Sequence, residues 1–365
     1  MKNFKSLIKK YYKHIFIYPI VLVSLFFASC YSLNFLLVPA KYSSTIETIF
    51  YDIQTQDKNI DCVFLGSSRT YRGIDSIELS KTLNKNVFNI AYETANYSGL
   101  YYVLCELINT HDIESLYLEA SISDFLRDTT NEDLSVYRVL SEENKQTFAD
   151  ELDLKIINSS IFEFTNYMQN FSNEKFLFNI KGKVVNSDKL GDSINTITST
   201  YISNGYMSSY DCLDENDVVS LPGSYIKNGG LWEEDCSTEM QAYYFEEIIN
   251  LCKENNINIQ LFSCPYPSKI LTDNVEGFQN FYEFIHAYSE EYNINMLDFS
   301  LLKKDIFENT NQYFFDSNHC SSYGATALYP IITDIINDLE SNTLDTSDYF
   351  YSSFQELYDE YAQQV

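Results

Sequence analysis

Histidine is scarce in this chain: 365 residues contain only His14, His111, His286 and His319. One usable histidine among dispersed acids is a poor metal-ligand set, which argues against a metal-dependent hydrolase. The eight cysteines contain no CxxC pair and no zinc spacing. Basic residues are also few, 24 Lys and Arg against 52 Asp and Glu, giving a formal charge of -28. That balance opposes binding to nucleic-acid phosphates and to anionic lipid heads, so a nucleic-acid role is excluded first. No internal repeat is visible.

What is present suits a folded chain, since 45% apolar composition fills the core of one large domain or two small ones. Tyr and Phe are abundant, 31 and 26; they suit stacking surfaces for sugars and core filling alike. Cys62, Cys252 and Cys264 fall on apolar or helical stretches and read as buried thiols. Cys30 lies in an apolar run, and Cys212 and Cys236, in the polar middle, are candidates for a bridge.

Lys2, Lys5, Lys9, Lys10 and Lys13 precede an apolar stretch from Ile15 to about Ala40, longer than the roughly 20 residues that cross a bilayer. The pattern predicts a cytoplasmic basic stub over 1–13, a transmembrane signal anchor over 14–40, and an extracytoplasmic remainder. A signal peptide cut near Ser29, or a lipoprotein signal at Cys30, is the rival. The run continues through FLLVP, past the usual length of a signal-peptide core, which favours an uncleaved anchor in the cell membrane.

Beyond the anchor, one domain is expected over 41–340, with an insertion at about 125–235 and an acidic aromatic tail over 341–365. Tyr42 to Asn59 is a stem or a first helix. Short apolar strands are predicted at Cys62–Gly66, Val87–Ala91, Leu116–Ala120, Ile257–Phe262 and Ile294–Phe299. Helices fall between them: one from an Asp75 cap, Ser98–Ile108 with Ser98 as cap, one capped by Ser237 and running to about Asn255, and Gly277–Tyr292. A closing helix follows Ser322, kinked or started late at Pro330. This alternation predicts an α/β fold, a three-layer α/β/α sandwich with a parallel central sheet, preceded by one transmembrane helix.

Two segments carry the chemistry, VFLGSSRTYRG at Val63 to Gly73 and YFFDSNHCSSYG at Tyr313 to Gly324. Ser68 follows the first strand through Gly66 and Ser67, where a sharp strand-to-helix turn exposes a side chain. Open parallel sheets gather their sites at these carboxyl ends. A serine hydroxyl needs a base, and the base needs a carboxylate to fix its tautomer. His14 belongs to the anchor, His111 follows a helix and His286 lies inside one. His319 sits in a loop beside Asp316, and DxxH in a turn sets a carboxylate against one ring nitrogen and leaves the other for the serine. The competing readings are an ordinary helix cap at Ser67 and Ser68 and a loop histidine at 319.

These segments resemble the end motifs of the SGNH, or GDSL-like, hydrolase family, whose fold is flavodoxin-like, and in particular its membrane-anchored branch associated with cell-envelope polysaccharide and teichoic-acid modification. Gly66, Ser67, Ser68 and Arg69 match the first block with Ser in place of Asp, and Asp316 to His319 match the last. The resemblance covers about residues 58–125 and 237–340. It implies Ser68 as nucleophile, His319 as base and Asp316 as its orienting acid, with no cofactor and no metal. The family's oxyanion glycine and asparagine have no counterpart here. NIAYETAN leaves an N–H near Ala91 or the Asn96 amide for the first, and LEASISDF offers Glu119 and Asp124 for the second. The oxyanion or substrate-binding candidates are therefore Arg69, Ala91, Asn96 and Glu119, with Arg69 also able to pair with Glu119.

A serine acyl-enzyme resolved by water is an esterase, and one resolved by a sugar hydroxyl is an O-acyltransferase. The resemblance and the anchor imply an acylated glycan or acyl donor as substrate, in the wall, capsule or exopolysaccharide. A membrane acyltransferase or polysaccharide assembly machinery is the implied partner. The alternative is a catalytically inactive glycan-binding or assembly protein of the envelope on the same fold.

Overall fold

The computed structural model describes residues 11, 13–38, 43–56, 59–127, 133–154, 156, 161, 163–170, 194–215, 217, 219–221, 231–232 and 237–362. Two compact units divide the chain: Met1–Ser43 with Ala149–Asp188, and Ser44–Phe148 with Lys189–Val365.

In the first unit a π-helical turn, Lys13–Ile17, leads into α1, Tyr18–Leu37. α1 is 20 residues long and contains an 18-residue stretch of mean hydropathy 2.1, which makes it long and apolar enough to cross a membrane. Near its end Asn34 donates to the Ile161 carbonyl at 3.2 Å and accepts from the Phe164 amide at 2.8 Å.

The second unit runs α2 (Thr45–Gln56), β1 (Cys62–Ser67), α3 (Ser68–Gly73), α4 (Ser76–Leu83), β2 (Val87–Tyr92), α5 (Tyr97–Ile108), β3 (Ser115–Glu119) and α6 (Ile122–Phe125). There follow α7 (Asp133–Val139), α8 (Glu142–Glu151, which ends in the first unit), β4 (Ser199–Ser203), β5 (Tyr206–Ser209) and α9 (Glu239–Glu254). The chain closes with β6 (Asn258–Ser263), α10 (Ser268–Asp273), α11 (Val275–Tyr292), β7 (Met296–Asp298), α12 (Ser322–Glu340), α13 (Thr346–Tyr349) and α14 (Phe354–Ala362).

Among the described residues, five strands form one parallel sheet in the order β2-β1-β3-β6-β7. This is the doubly wound order in which the first connection runs one way and the later ones the other. Right-handed crossovers then put α4 on one face and α5, α9 and α11 on the other. Contacts agree: α12 packs with α4, and α5 with α9. The strands are buried on both faces, hence their near-continuous apolar runs. In the sheet interior Phe64 stacks on Tyr117 at 4.7 Å and meets Phe262 edge-on.

Asp75 caps α4, accepting from the amides of Ile77 and Glu78. The caps of α5 and α9 differ from the sequence reading. Asn96, one residue before α5, accepts from Gly99, and Thr238 accepts from Gln241. Pro330 lies inside a continuous α12, which starts eight residues before it at Ser322. The buried face of Ala325, Leu328, Ile332, Ile335 and Ile336 holds that helix on the sheet despite one missing N–H.

Within the expected insertion, the hairpin β4–β5 was not legible as strands. It covers the exposed edge of β2: the Asn89 amide donates to the Asn204 carbonyl at 2.9 Å, and Asn204 Nδ2 donates to the Val87 carbonyl at 3.1 Å. Gly205, at φ +76°, lies so close to Asn89 that any side chain there would strike the Asn89 carbonyl. The acidic tail is also folded onto the domain. Phe350 bridges to Leu302, and Phe354 is buried and stacks on Phe278 at 5.5 Å. Residues 171–193 and 222–230 of the insertion lie outside the described residues, as does Cys236, the candidate bridge partner of Cys212. The seven described cysteines are free thiols.

Candidate active site

Ser68 is the first residue of α3, set immediately after β1 with Ser67 as the helix cap. The sharp turn at the carboxyl end of the strand leaves Ser68 partly exposed between buried neighbours. Its hydroxyl lies 2.8 Å from His319 Nε2. His319 Nδ1 lies 3.0 and 2.9 Å from the two oxygens of Asp316.

The histidine loop is a short closed structure. Asp316 Oδ1 also accepts from the backbone amides of Asn318 at 2.9 Å and His319 at 3.0 Å. The Phe315 amide donates to the His319 carbonyl at 2.8 Å, and Phe314 pairs with Cys320 in an isolated antiparallel bridge. Ser321 then caps α12 by accepting from Gly324. Gly324 is required there, because a side chain would meet the Tyr313 carbonyl.

Burial by itself would raise the Asp316 pKa, but hydrogen bonds from the His319 ring, the ring's charge and the two backbone amides outweigh it. The net result is a carboxyl held below its ordinary value. An ionised Asp316 accepts the Nδ1 proton, which leaves the Nε2 lone pair facing the Ser68 hydroxyl. That is the arrangement that lets a serine attack a carbonyl carbon while a ring nitrogen takes its proton.

Behind the turn, at the end of β3, Glu119 is fully buried and reaches back to β1. Its Oε2 accepts from the Ser67 amide at 2.7 Å, the Ser67 hydroxyl at 2.8 Å and the Thr70 hydroxyl at 2.7 Å. Gly66 makes room for it: a side chain on residue 66 would come within 2.5 Å of Glu119 Oε2 and 2.6 Å of its Cβ. Arg69 also points inward, 1% exposed, with Nη1 3.8 Å from Glu119 Oε1. Its Nε donates to the Asn318 carbonyl at 3.2 Å, its Nη2 donates to the Cys264 and Pro265 carbonyls, and its guanidinium lies 3.7 Å over the Tyr266 ring.

The structure therefore brings Ser68, His319 and Asp316 together and turns the other four candidates elsewhere. Arg69 and Glu119 face one another beneath the turn. Asn96 is buried, its oxygen capping α5 and its Nδ2 donating to Asp133 at 3.2 Å. Ala91 sits in β2 opposite Gly66. Successive amides along a strand point to opposite edges, and the Asn89 amide points away from β1 to Asn204. The Ala91 amide, two residues on, thus points away from Ser68 as well. What remains for an oxyanion is the Ser68 amide itself, one of the first helical N–H groups that have no intrahelical acceptor.

Residues that the sequence reading did not single out also build the site. Arg72 donates to the hydroxyls of Ser199 (2.9 Å) and Ser209, and its guanidinium lies 5.1 Å over the Phe315 ring. Ser208 and Ser322 share a hydrogen bond of 2.7 Å. The hairpin is thereby fastened to both the serine helix and the start of α12. Only the basic residue at the end of SRTYRG hinted at this. Cys264 and Cys320 lie close by, but burial raises the Cys320 thiol to about 12 and Cys264 well above its ordinary value, so neither is a nucleophile.

No protein-family model matches the chain, and no curated protein matches it. Among solved structures, a candidate acylhydrolase from Bacteroides fragilis aligns with 11% identity and TM-score 0.37, over 79% of this chain and 95% of that one. A GDSL-like lipase from Bacteroides thetaiotaomicron aligns with the same identity and TM-score, over 82% of this chain and 99% of that one.

Proposed function

We propose that this chain is a serine-dependent acyl ester hydrolase or O-acyltransferase of the SGNH type, acting on an acylated polysaccharide of the cell envelope. The observation that carries the reading is the continuous path from Ser68 Oγ to His319 Nε2 and from His319 Nδ1 to Asp316. His319 takes the Ser68 proton as the oxygen attacks an ester carbonyl. The Ser68 amide holds the negative oxygen of the tetrahedral intermediate. The intermediate collapses as His319 returns the proton to the leaving alkoxide, giving an acyl-serine. Water or a sugar hydroxyl, deprotonated by the same ring, then releases the acyl group as acid or as a new ester.

The apolar α1 and the lysines before it support a tether with a cytoplasmic amino terminus, which would keep the catalytic domain beside envelope glycans. The alternative, a non-catalytic glycan-binding or assembly protein, draws its support from Glu119. An acceptor stands where the resemblance leads one to expect a donor to the oxyanion. The hydrogen-bonded triad favours catalysis, because binding a glycan needs no aligned proton relay.

The test combines p-nitrophenyl acetate with envelope polysaccharide stripped of its esters by mild base. Release of p-nitrophenolate that disappears in Ser68→Ala supports the enzyme, and acetate appearing on the glycan assigns transfer. Release unchanged by Ser68→Ala contradicts the reading.

A further inference from the structure

We infer that Glu119 and Arg69 are positioning residues, a buried clamp that sets the separation of Ser68 and His319. The inference rests on the triad reading and explains what the acid at the end of β3 does. The nucleophile and its base come from segments 251 residues apart, so something must fix one against the other. The Ser68–His319 hydrogen bond alone is a poor candidate, because it must break and re-form in each cycle.

The clamp has two arms. Glu119 holds the serine turn through three acceptor contacts, to the Ser67 amide, the Ser67 hydroxyl and the Thr70 hydroxyl. These bracket Ser68 on both sides. Arg69, next to Ser68 in the chain, reaches the carbonyl of Asn318, next to His319, at 3.2 Å. It also reaches the carbonyls that follow β6, at Cys264 and Pro265. Glu119 and Arg69 face each other at 3.8 Å, 0% and 1% exposed, so each supplies the opposite charge that the other needs in a site without solvent. Gly66 leaves the space that the carboxyl occupies. Both side chains are buried beneath the turn and act through their neighbours. A clamp of this kind controls kcat rather than substrate affinity, since small displacements of reacting groups cost rate steeply.

The experiment measures the p-nitrophenyl acetate burst and steady state for wild type, Glu119→Gln, Arg69→Met, the double variant and Thr70→Val, with Ser68→Ala alongside. Thr70→Val removes one contact without touching the buried charges and keeps the test valid where a charge variant does not fold. The clamp predicts an acylation rate, read from the burst at saturating ester, lowered about 10- to 100-fold in each charge variant, with the half-saturating ester concentration of the burst rate within about two-fold. It predicts a loss of about five-fold in Thr70→Val. The double variant should be no slower than the slower single, because the two groups form one unit. A readout free of turnover is the NMR signal of the His319 ring, expected sharp in wild type and broadened in Glu119→Gln and Thr70→Val. An acylation rate within two-fold of wild type in both of those variants, or an unchanged ring signal in both, overturns the clamp. So does a change confined to that half-saturating concentration. Turnover that persists in Ser68→Ala instead overturns the triad, so the two failures are distinguishable.

Discussion

Ser68 Oγ and His319 Nε2 stand 2.8 Å apart although 251 residues separate them in sequence. A parallel sheet makes this possible: each strand ends on the same edge, so the loops after β1 and before α12 meet there. The site's chemistry and its assembly depend on different side chains, and the two dependences predict different behaviour.

Asp316 fixes the imidazole, so Asp316→Asn should lower kcat by about 10²- to 10⁴-fold with little change in KM. Because the Asp316 pKa is depressed in the folded protein, it adds stability above its unfolded value of 3.8 and loses it as pH falls through the folded value. Denaturation of wild type and variant should therefore differ at pH 6, with the gap closing under acid conditions below about pH 4.

Asp298 behaves in the opposite sense. Burial pushes its carboxyl up to about 6, opposed mainly by the Ser300 amide that it accepts from. A raised carboxyl contributes stability that is complete below pH 3.8 and is lost as pH rises through about 6. Asp298→Asn keeps a capping side chain without the ionisation, so its Tm should rise relative to wild type at pH 8 compared with pH 4. Differential scanning calorimetry at the two pH values measures this.

Gly66 tests the close packing beneath the nucleophile. Gly66→Ala forces the new methyl against Thr70 and Glu119, which should cost about 1–3 kcal/mol in urea denaturation. Activity should fall with it, since the displaced Glu119 holds Ser67.

Most of the sheet was legible because buried parallel strands are short and nearly continuously apolar, as CVFLG and VFNIA are. The approach of His319 to Ser68 was legible because histidine is so rare. The Asn96 cap was missed in favour of Ser98 because both residues cap well, and only the contacts of Asn96 to the Gly99 amide and to Asp133 distinguish them. The four oxyanion or substrate-binding candidates were named from where the family's blocks fall in the sequence, which says nothing of where an amide points along a strand. The hairpin was hidden because β4 and β5 are polar, STYIS and YMSS; they are held by Arg72, Asn204 and Ser322 rather than by an alternating apolar face. The tail reads in sequence only as acidic and aromatic, and it is the burial of Phe350, Phe354 and Leu357 that folds it onto the domain.

That packing makes Phe354 a sensitive position. Its ring is 1% exposed and lies on Phe278, so Phe354→Ala should destabilise the domain by about 3–5 kcal/mol. Urea unfolding monitored by circular dichroism gives the value directly.

The central claim is that Ser68 is a nucleophile activated by His319. A fluorophosphonate probe reacts covalently with an activated serine, and mass spectrometry of the digested protein locates the adduct. The account predicts one adduct, on the peptide carrying Ser68, absent from Ser68→Ala and strongly slowed in His319→Ala. An adduct on another residue, or labelling equally fast without His319, would contradict it.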